Sequence, residues 1–203
     1  MQRFPQHDLI AFLTWAGVTL VWAWFGAVFL LRKKPSGREE TKRDRRSILG
    51  IVLQAAGFAF ASGVHRPYFS SLFPMPAWLE VALGFGTVAL AFGSTWFAVS
   101  AVNTLGQQWA YAARLVEGHQ LVTAGPYSRV RNPIYSGMLG MFIATAIAVG
   151  RPSAFPLAFA LFVAGTWIRI KSEEGLLRKQ FGGQFNEYAG RVPAVLPRIF
   201  DPQ

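Results

Sequence analysis

Leu9 to Leu31 runs for twenty-three residues without a charge. As a helix such a run extends about 34 Å, more than the roughly 30 Å of a bilayer's hydrocarbon core. Asp8 and Arg32 bracket it. Four more apolar runs follow, at 48–64, 77–102, 134–150 and 153–168. The third is interrupted only by Glu80. His65, Arg66 and Pro67 close the second, and Arg151-Pro152 separates the last two, which read as a helical hairpin. Charged residues make up 15% of the chain, against about a quarter in soluble domains. The pattern predicts an all-α integral membrane protein of about five transmembrane helices. The first run is too long, too rich in Trp (Trp15, Trp22, Trp24) and too basic at its far end for a cleaved signal peptide. It reads as a retained helix.

Charge placement sets the expected orientation. Twenty Lys and Arg stand against ten Asp and Glu. With the N-terminus outside and five spans, seventeen of those twenty fall on the cytoplasmic side. Only Arg3, Arg66 and Arg151 fall outside. This satisfies the positive-inside rule throughout. The basic excess then reads as a cytoplasmic rim facing anionic head groups, and no nucleic-acid partner is expected. The compact form suggests a bacterial inner membrane. The segment 35–46 mixes both signs of charge and reads as a solvated, mobile loop.

The chain divides into an N-terminal three-helix region, 1–102, and a C-terminal region, 103–203. Two polar stretches in the latter, 103–133 and 171–203, are longer than helix connections need, and such connections usually carry function. With no cysteine in the sequence, a disulfide framework, a thiolate metal site and a cysteine nucleophile are excluded. His7 and His65 fall on one side by this topology and His119 on the other, so no metal site is expected. Gly84-Phe85-Gly86 lies inside an apolar run with no strand before it and reads as close helix packing. Glu80 reads as snorkelling to the outer interface.

Three clusters stand out. Leu121-Val122-Thr123-Ala124-Gly125-Pro126-Tyr127 precedes Arg129, Arg131, Asn132, Pro133, Tyr135 and Gly137. Gly-Pro makes a turn, and Asn132-Pro133 starts a helix. Arg169, Glu173 and Glu174 lie where the fifth run ends, and Arg169 and Glu173, four apart, share a helix face. Phe181-Gly182-Gly183, Phe185, Tyr188 and Val192-Pro193 look like a helix lying on the membrane surface.

Taken in order with Leu105-Gly106, Trp109, His119, Leu177 and Pro197, this set resembles the isoprenylcysteine carboxyl methyltransferase family. These are integral-membrane, S-adenosylmethionine-dependent enzymes related to phospholipid methyltransferases. The resemblance covers roughly residues 103–203. It implies a cytoplasmic cofactor pocket built by the C-terminal half. His119, Leu121, Val122, Gly125 and Tyr127 would line that pocket, with Tyr188. Arg131, Asn132 and Tyr135 would reach the polar end of the cofactor, and Glu174 would pair with its positive charge. The family usually has His where this chain has Asn132, so a hydrogen-bonding role survives there and an acid–base role does not. Arg169 would face the acceptor. A carboxylate acceptor needs only positioning, which an Arg fork suits. An amine or thiol acceptor makes Glu173 or Glu174 the candidate base. The expected partners are the lipid bilayer and a lipophilic or lipidated acceptor. An NADPH-dependent reductase on the same scaffold, or a non-catalytic membrane subunit, are the alternatives.

Overall fold

The computed structural model describes residues 6–31, 40–67, 69–109, 114–116, 118 and 120–198. Five long helices form a bundle: α1 (Gln6–Leu31), α2 (Arg46–Gly63), α3 (Ala77–Leu105), α4 (Pro133–Ala148) and α5 (Phe155–Phe181). A short α6 (Gly183–Arg191) follows α5. Four of the five are long and apolar enough to cross a membrane, and α4 is apolar but sixteen residues long. Large apolar side chains point outward along them, with Leu20 71% and Phe85 76% exposed. Water would penalise that surface, and lipid does not. The chain is an integral membrane protein with the all-α architecture expected.

The helices run further than the apolar runs. α5 continues thirteen residues beyond Ile168, to Phe181. Its extension contains Leu, Lys, Glu, Arg and Gln, which are good helix formers, and only one internal Gly before Gly182 ends it. α5 thus carries Arg169, Glu173 and Glu174 out of the apolar layer on a rigid rod.

α4 and α5 are joined by the tight turn at 149–154 but do not pack as a simple hairpin. The backbone of α5 lies against α2. A Cβ built on Gly57 would sit 2.9 Å from the Ala158 carbonyl oxygen and the Phe162 nitrogen. One built on Gly165 would sit 2.6 Å from the Gly50 carbonyl oxygen and 2.7 Å from the Gln54 nitrogen. Only glycine permits that approach, as in small-residue seams between membrane helices. Between α4 and α5 stand aromatic rings instead, Phe142 stacking on Phe162 at 4.8 Å. On α3, Ala98 and Ser94 face Gly137 and Gly140 of α4 in a second seam. Helices of the two halves of the sequence therefore interleave. Gly84 packs on Thr14 of α1, but a Cβ built on Gly86 would meet nothing within 4 Å, so only half of that Gly-Phe-Gly run serves helix packing.

Two loops meet at one end of the bundle. Strand β1 (Glu40–Arg43) pairs antiparallel with β2 (Arg114–Val116). Part of the segment expected to be a mobile loop is thus ordered. A two-strand ladder is held by backbone bonds, which leave no hydrophobic pattern to read. Residues 35–39 lie outside the described residues.

At the opposite end, Arg66 donates to the carbonyls of Ser70, Gly150, Ile147 and Ala148 at 2.8–3.0 Å. It thereby satisfies carbonyls that the end of α4 leaves open. Glu80, expected to snorkel, is 5% exposed and accepts a hydrogen bond from Ser71 at 2.6 Å. Ser71 belongs to the connection between α2 and α3, so Glu80 anchors that connection.

Candidate active site

The end of the bundle carrying the two strands encloses a cavity of about 330 Å³. Its apolar side comes from Phe25 and Phe29 of α1, Trp109, and Ile134 and Met138 of α4. Its polar side comes from Arg131, Asn132, Tyr135, Arg169, Glu173 and Glu174. Leu121, Val122, Tyr127 and Tyr188 also line it. Most residues expected at a site are therefore brought to one wall from four separate segments. His119 lies outside the described residues.

Gly125 is not on the wall. It opens the 3-10 turn Gly125–Ser128 at φ +61, a left-handed conformation that glycine adopts without strain. That turn delivers Tyr127 to the cavity. The role of Gly125 is thus conformational.

Arg131 is the hub of the polar wall. Its Nε donates to Glu174 at 3.0 Å, and its Nη1 donates to the carbonyls of Ala189, at 2.8 Å, and Val192. The Asn132 amide nitrogen donates to Glu174 at 2.9 Å and to the Ala194 carbonyl at 3.1 Å. Backbone bonds from Arg131 to Pro193 and from Asn132 to Ala194 run alongside. The entry to α4, the outer part of α5 and the chain after α6 are therefore clamped together. Asn132 serves two acceptors from one NH2 group, a task a single imidazole N–H meets less well. This gives the family's departure at this position a concrete role.

A second cluster lies further along α4 and α5, toward their apolar runs. The Tyr135 hydroxyl donates to a Glu173 carboxylate oxygen. Arg169 approaches the same carboxylate at 3.8 Å, and its guanidinium lies 5.0 Å from the centre of the Tyr135 ring. The expected Arg169–Glu173 meeting on one helix face is present. Two arginines and two glutamates balance along the wall. Among the described residues, no group of three His, Asp or Glu converges as a metal would require.

α6 is the main correction at the site. Its aromatic face does not lie on the bilayer surface. Phe185 is fully buried and Tyr188 nearly so, and both turn to the cavity. The period of the apolar residues marks one buried face but not what covers it. Phe25 and Phe29 line the cavity without having been singled out in the sequence, because aromatics in an apolar helix carry no local mark of a cavity, and Phe185 was singled out only as part of a surface helix.

The Tyr188 hydroxyl donates to the Tyr127 carbonyl at 2.6 Å. Burial, reinforced by the charge of Glu174 and opposed by that of Arg131, pushes the Tyr188 phenol up to about 12. Burial, then the charge of Glu173, raises the Tyr127 phenol too. A phenol titrates near 10 in the unfolded chain. The stability held in the Tyr188 proton is thus complete below about pH 10 and lost as pH rises through about 12. In an absorbance titration at 295 nm, Tyr188→Phe should remove a step near pH 12. A profile unchanged from the parent protein would contradict this placement.

Residues 80–184 match the family described as phospholipid methyltransferase. Protein-S-isoprenylcysteine O-methyltransferase B of Arabidopsis thaliana is 36% identical over 103 residues, covering 49% of this chain and 52% of that protein. Nickel-cobalt-cadmium resistance protein NccN of Alcaligenes xylosoxydans xylosoxydans is 36% identical over 103 residues, covering 47% and 45%. Methanethiol S-methyltransferase 2 of Bradyrhizobium diazoefficiens is 28% identical over 127 residues, covering 61% and 48%. The chain spans about half the length of these relatives. The family match takes in most of α3 and all of α4 and α5, and with them Arg131, Asn132, Tyr135, Arg169, Glu173 and Glu174. That match covers more than half of the residues, and the chain belongs to the phospholipid methyltransferase family.

Proposed function

We propose that this chain is an S-adenosylmethionine-dependent methyltransferase of the membrane, acting on a lipophilic acceptor. The observation that carries the reading is the two-faced cavity. One face is apolar and aromatic and formed partly by α1, and the other is a charge-balanced wall of Arg131, Arg169, Glu173 and Glu174. Its volume is at the lower end of the roughly 300–1,000 Å³ typical of small-molecule sites.

The residues present fit the cofactor. A nucleoside and a thioether chain suit the wall of Leu121, Val122, Tyr127 and Tyr188. The carboxylate of Glu174 suits its positive charge. When bound, S-adenosylmethionine supplies a methyl group on a positively charged sulfur, ready for in-line displacement. Glu174 is held in place by Arg131 and Asn132, so its charge is aimed before any ligand arrives. Arg169 and Glu173 lie further toward the apolar runs, beside Ile134 and Met138, where an apolar tail would bring its polar end. For a carboxylate acceptor, Arg169 positions the nucleophile. For a thiol or amine, Glu173 accepts the proton as the new bond forms. The aromatic side of the cavity keeps water away from the transfer.

The relatives' names support both acceptor chemistries, a prenylated cysteine carboxyl group and a thiol. The positive-inside rule supports a site on the cytoplasmic face. Arg129, Arg131, Lys171, Arg178, Lys179 and Arg191 all lie at or beside the site's end of the bundle.

The test is methyl transfer from radiolabelled S-adenosylmethionine by the detergent-purified protein, with N-acetyl-S-farnesylcysteine and methanethiol as separate acceptors. Saturable labelling of either is expected. Labelling of neither, by protein shown to be folded, together with nicotinamide oxidation on addition of NADPH and an unsaturated lipid, would replace this reading with a reductase.

A further inference from the structure

Gln54 stands in the middle of α2, outside the stretch that matches the family and in the half of the chain with no recognised motif. It is 2% exposed in an otherwise apolar run. A buried primary amide in a membrane helix is costly unless all its hydrogen bonds are made. Here they are directed. Its amide nitrogen donates to the Thr166 hydroxyl of α5 at 2.8 Å. That contact sets which way the amide faces and turns its carbonyl oxygen toward α5. The oxygen accepts from Nη1 of Arg169 at 3.0 Å.

The backbone is shaped to allow this. Gly165, between Thr166 and the preceding turn, leaves space that a Cβ would take from the Gln54 nitrogen at 2.7 Å and from its Cγ at 3.0 Å. Gly50, one turn away on α2, leaves the space occupied by the Arg169 side chain. Gly50 thus makes room for the Arg169 side chain, and Gly165 and Thr166 seat the glutamine that binds its guanidinium. Glu173 and the Tyr135 ring hold its other sides.

We infer that Gln54 is a positioning residue for methyl transfer, acting through Arg169, so that α2 is part of the acceptor site. The inference rests on the reading above that Arg169 faces the acceptor. Gln54 does not itself line the cavity. Its effect is to hold the Arg169 fork in one orientation. Without the amide, Arg169 loses the 3.0 Å hydrogen bond that ties its guanidinium to α2. A long side chain with fewer fixed partners samples more rotamers. The acceptor would then bind in less productive poses, while the cofactor side, held by Arg131, Asn132 and Glu174, would be unaffected.

The experiment compares Gln54→Leu, Gln54→Glu and Thr166→Val with the parent enzyme, reading S-adenosylhomocysteine affinity and kcat/KM for N-acetyl-S-farnesylcysteine and methanethiol. Gln54→Leu should lower kcat/KM for the acceptor about tenfold, the scale of one hydrogen bond to a charged group. Its S-adenosylhomocysteine affinity should stay within about twofold of the parent, because that side of the wall is untouched. Gln54→Glu still offers Arg169 an acceptor oxygen and should recover most of the loss. Thr166→Val leaves the amide unoriented and should fall between the two.

Parental kcat/KM in Gln54→Leu would overturn the inference, as would equal losses in Gln54→Leu and Gln54→Glu. If Gln54→Leu no longer binds S-adenosylhomocysteine, Thr166→Val decides. A loss confined to acceptor kinetics supports the inference, and parental kinetics overturn it. A parent enzyme that neither binds S-adenosylhomocysteine nor methylates either probe overturns the methyltransferase reading, and this inference with it. A parent enzyme that does both while the variants match it overturns this inference alone.

Discussion

Arg169→Leu should bind S-adenosylhomocysteine as the parent protein does and transfer methyl groups at least a hundredfold more slowly. The two halves of that result come from two parts of the polar wall. Arg131, Asn132 and Glu174 are bonded to one another and to the chain at 189–194, without Arg169. Arg169 belongs to the second cluster with Gln54, Tyr135 and Glu173. Removing one preorganised donor from an active site typically costs about 10²–10³ in rate. Arg169→Lys keeps the charge and loses the planar fork, so it should lie between leucine and parent. Parental kcat/KM in Arg169→Leu would remove Arg169 from the reaction and leave Glu173 as the sole candidate of that cluster.

The second large effect is structural. Arg131→Leu should lower stability by about 3–5 kcal/mol, the cost of removing one partner from a buried ion pair. The lower end is the better guide, since 12% of the Glu174 side chain still reaches solvent. In a protein of this size, that corresponds to a fall in Tm of roughly 10 °C. Glu174 would keep Asn132 but lose its counter-charge, and the carbonyls of Ala189 and Val192 would lose their donor. S-adenosylhomocysteine binding should fall with it, because Tyr188 and Phe185 line the cavity from α6, which Arg131 holds down. A thermal melt unchanged from the parent protein would contradict the clamp. A melt that falls with ligand affinity intact would confine the clamp to a structural role.

The contrast between these two arginines shows what the sequence could carry. Both stood out in the sequence because each is a charge at the edge of an apolar run. Their separate duties did not, since the partners of Arg131 lie 43 to 61 positions away in the chain and Gln54 lies 115 from Arg169. Gln54 was invisible for a different reason. An uncharged polar residue in an apolar run changes neither the length of the run nor its charge. Only the backbone approach at Gly50 and Gly165 reveals what it meets.

The helices themselves were readable because a bilayer requires long uncharged runs, and five such runs became five helices. Their ends were less so, because apolar runs mark the lipid layer while α5 continues on helix propensity alone. The pairing of α2 with α5 was open in the sequence, where Gly50 and Gly57 could have packed within the chain or between two chains. The structure uses them within it. α6 was placed correctly as a helix and assigned the wrong cover. The same aromatic face suits a bilayer or a cavity roof, and the choice is made by Arg131 and the chain at 192–194.

The central claim is that the cavity between α1, α4, α5 and α6 holds S-adenosylmethionine. Calorimetric titration of the detergent-purified protein with S-adenosylhomocysteine, beside NADPH, tests it most directly. Saturable micromolar binding of S-adenosylhomocysteine at one site per chain, weakened in Arg131→Leu, is expected, with no binding of NADPH. Binding of NADPH alone, or of neither ligand by folded protein, would contradict it.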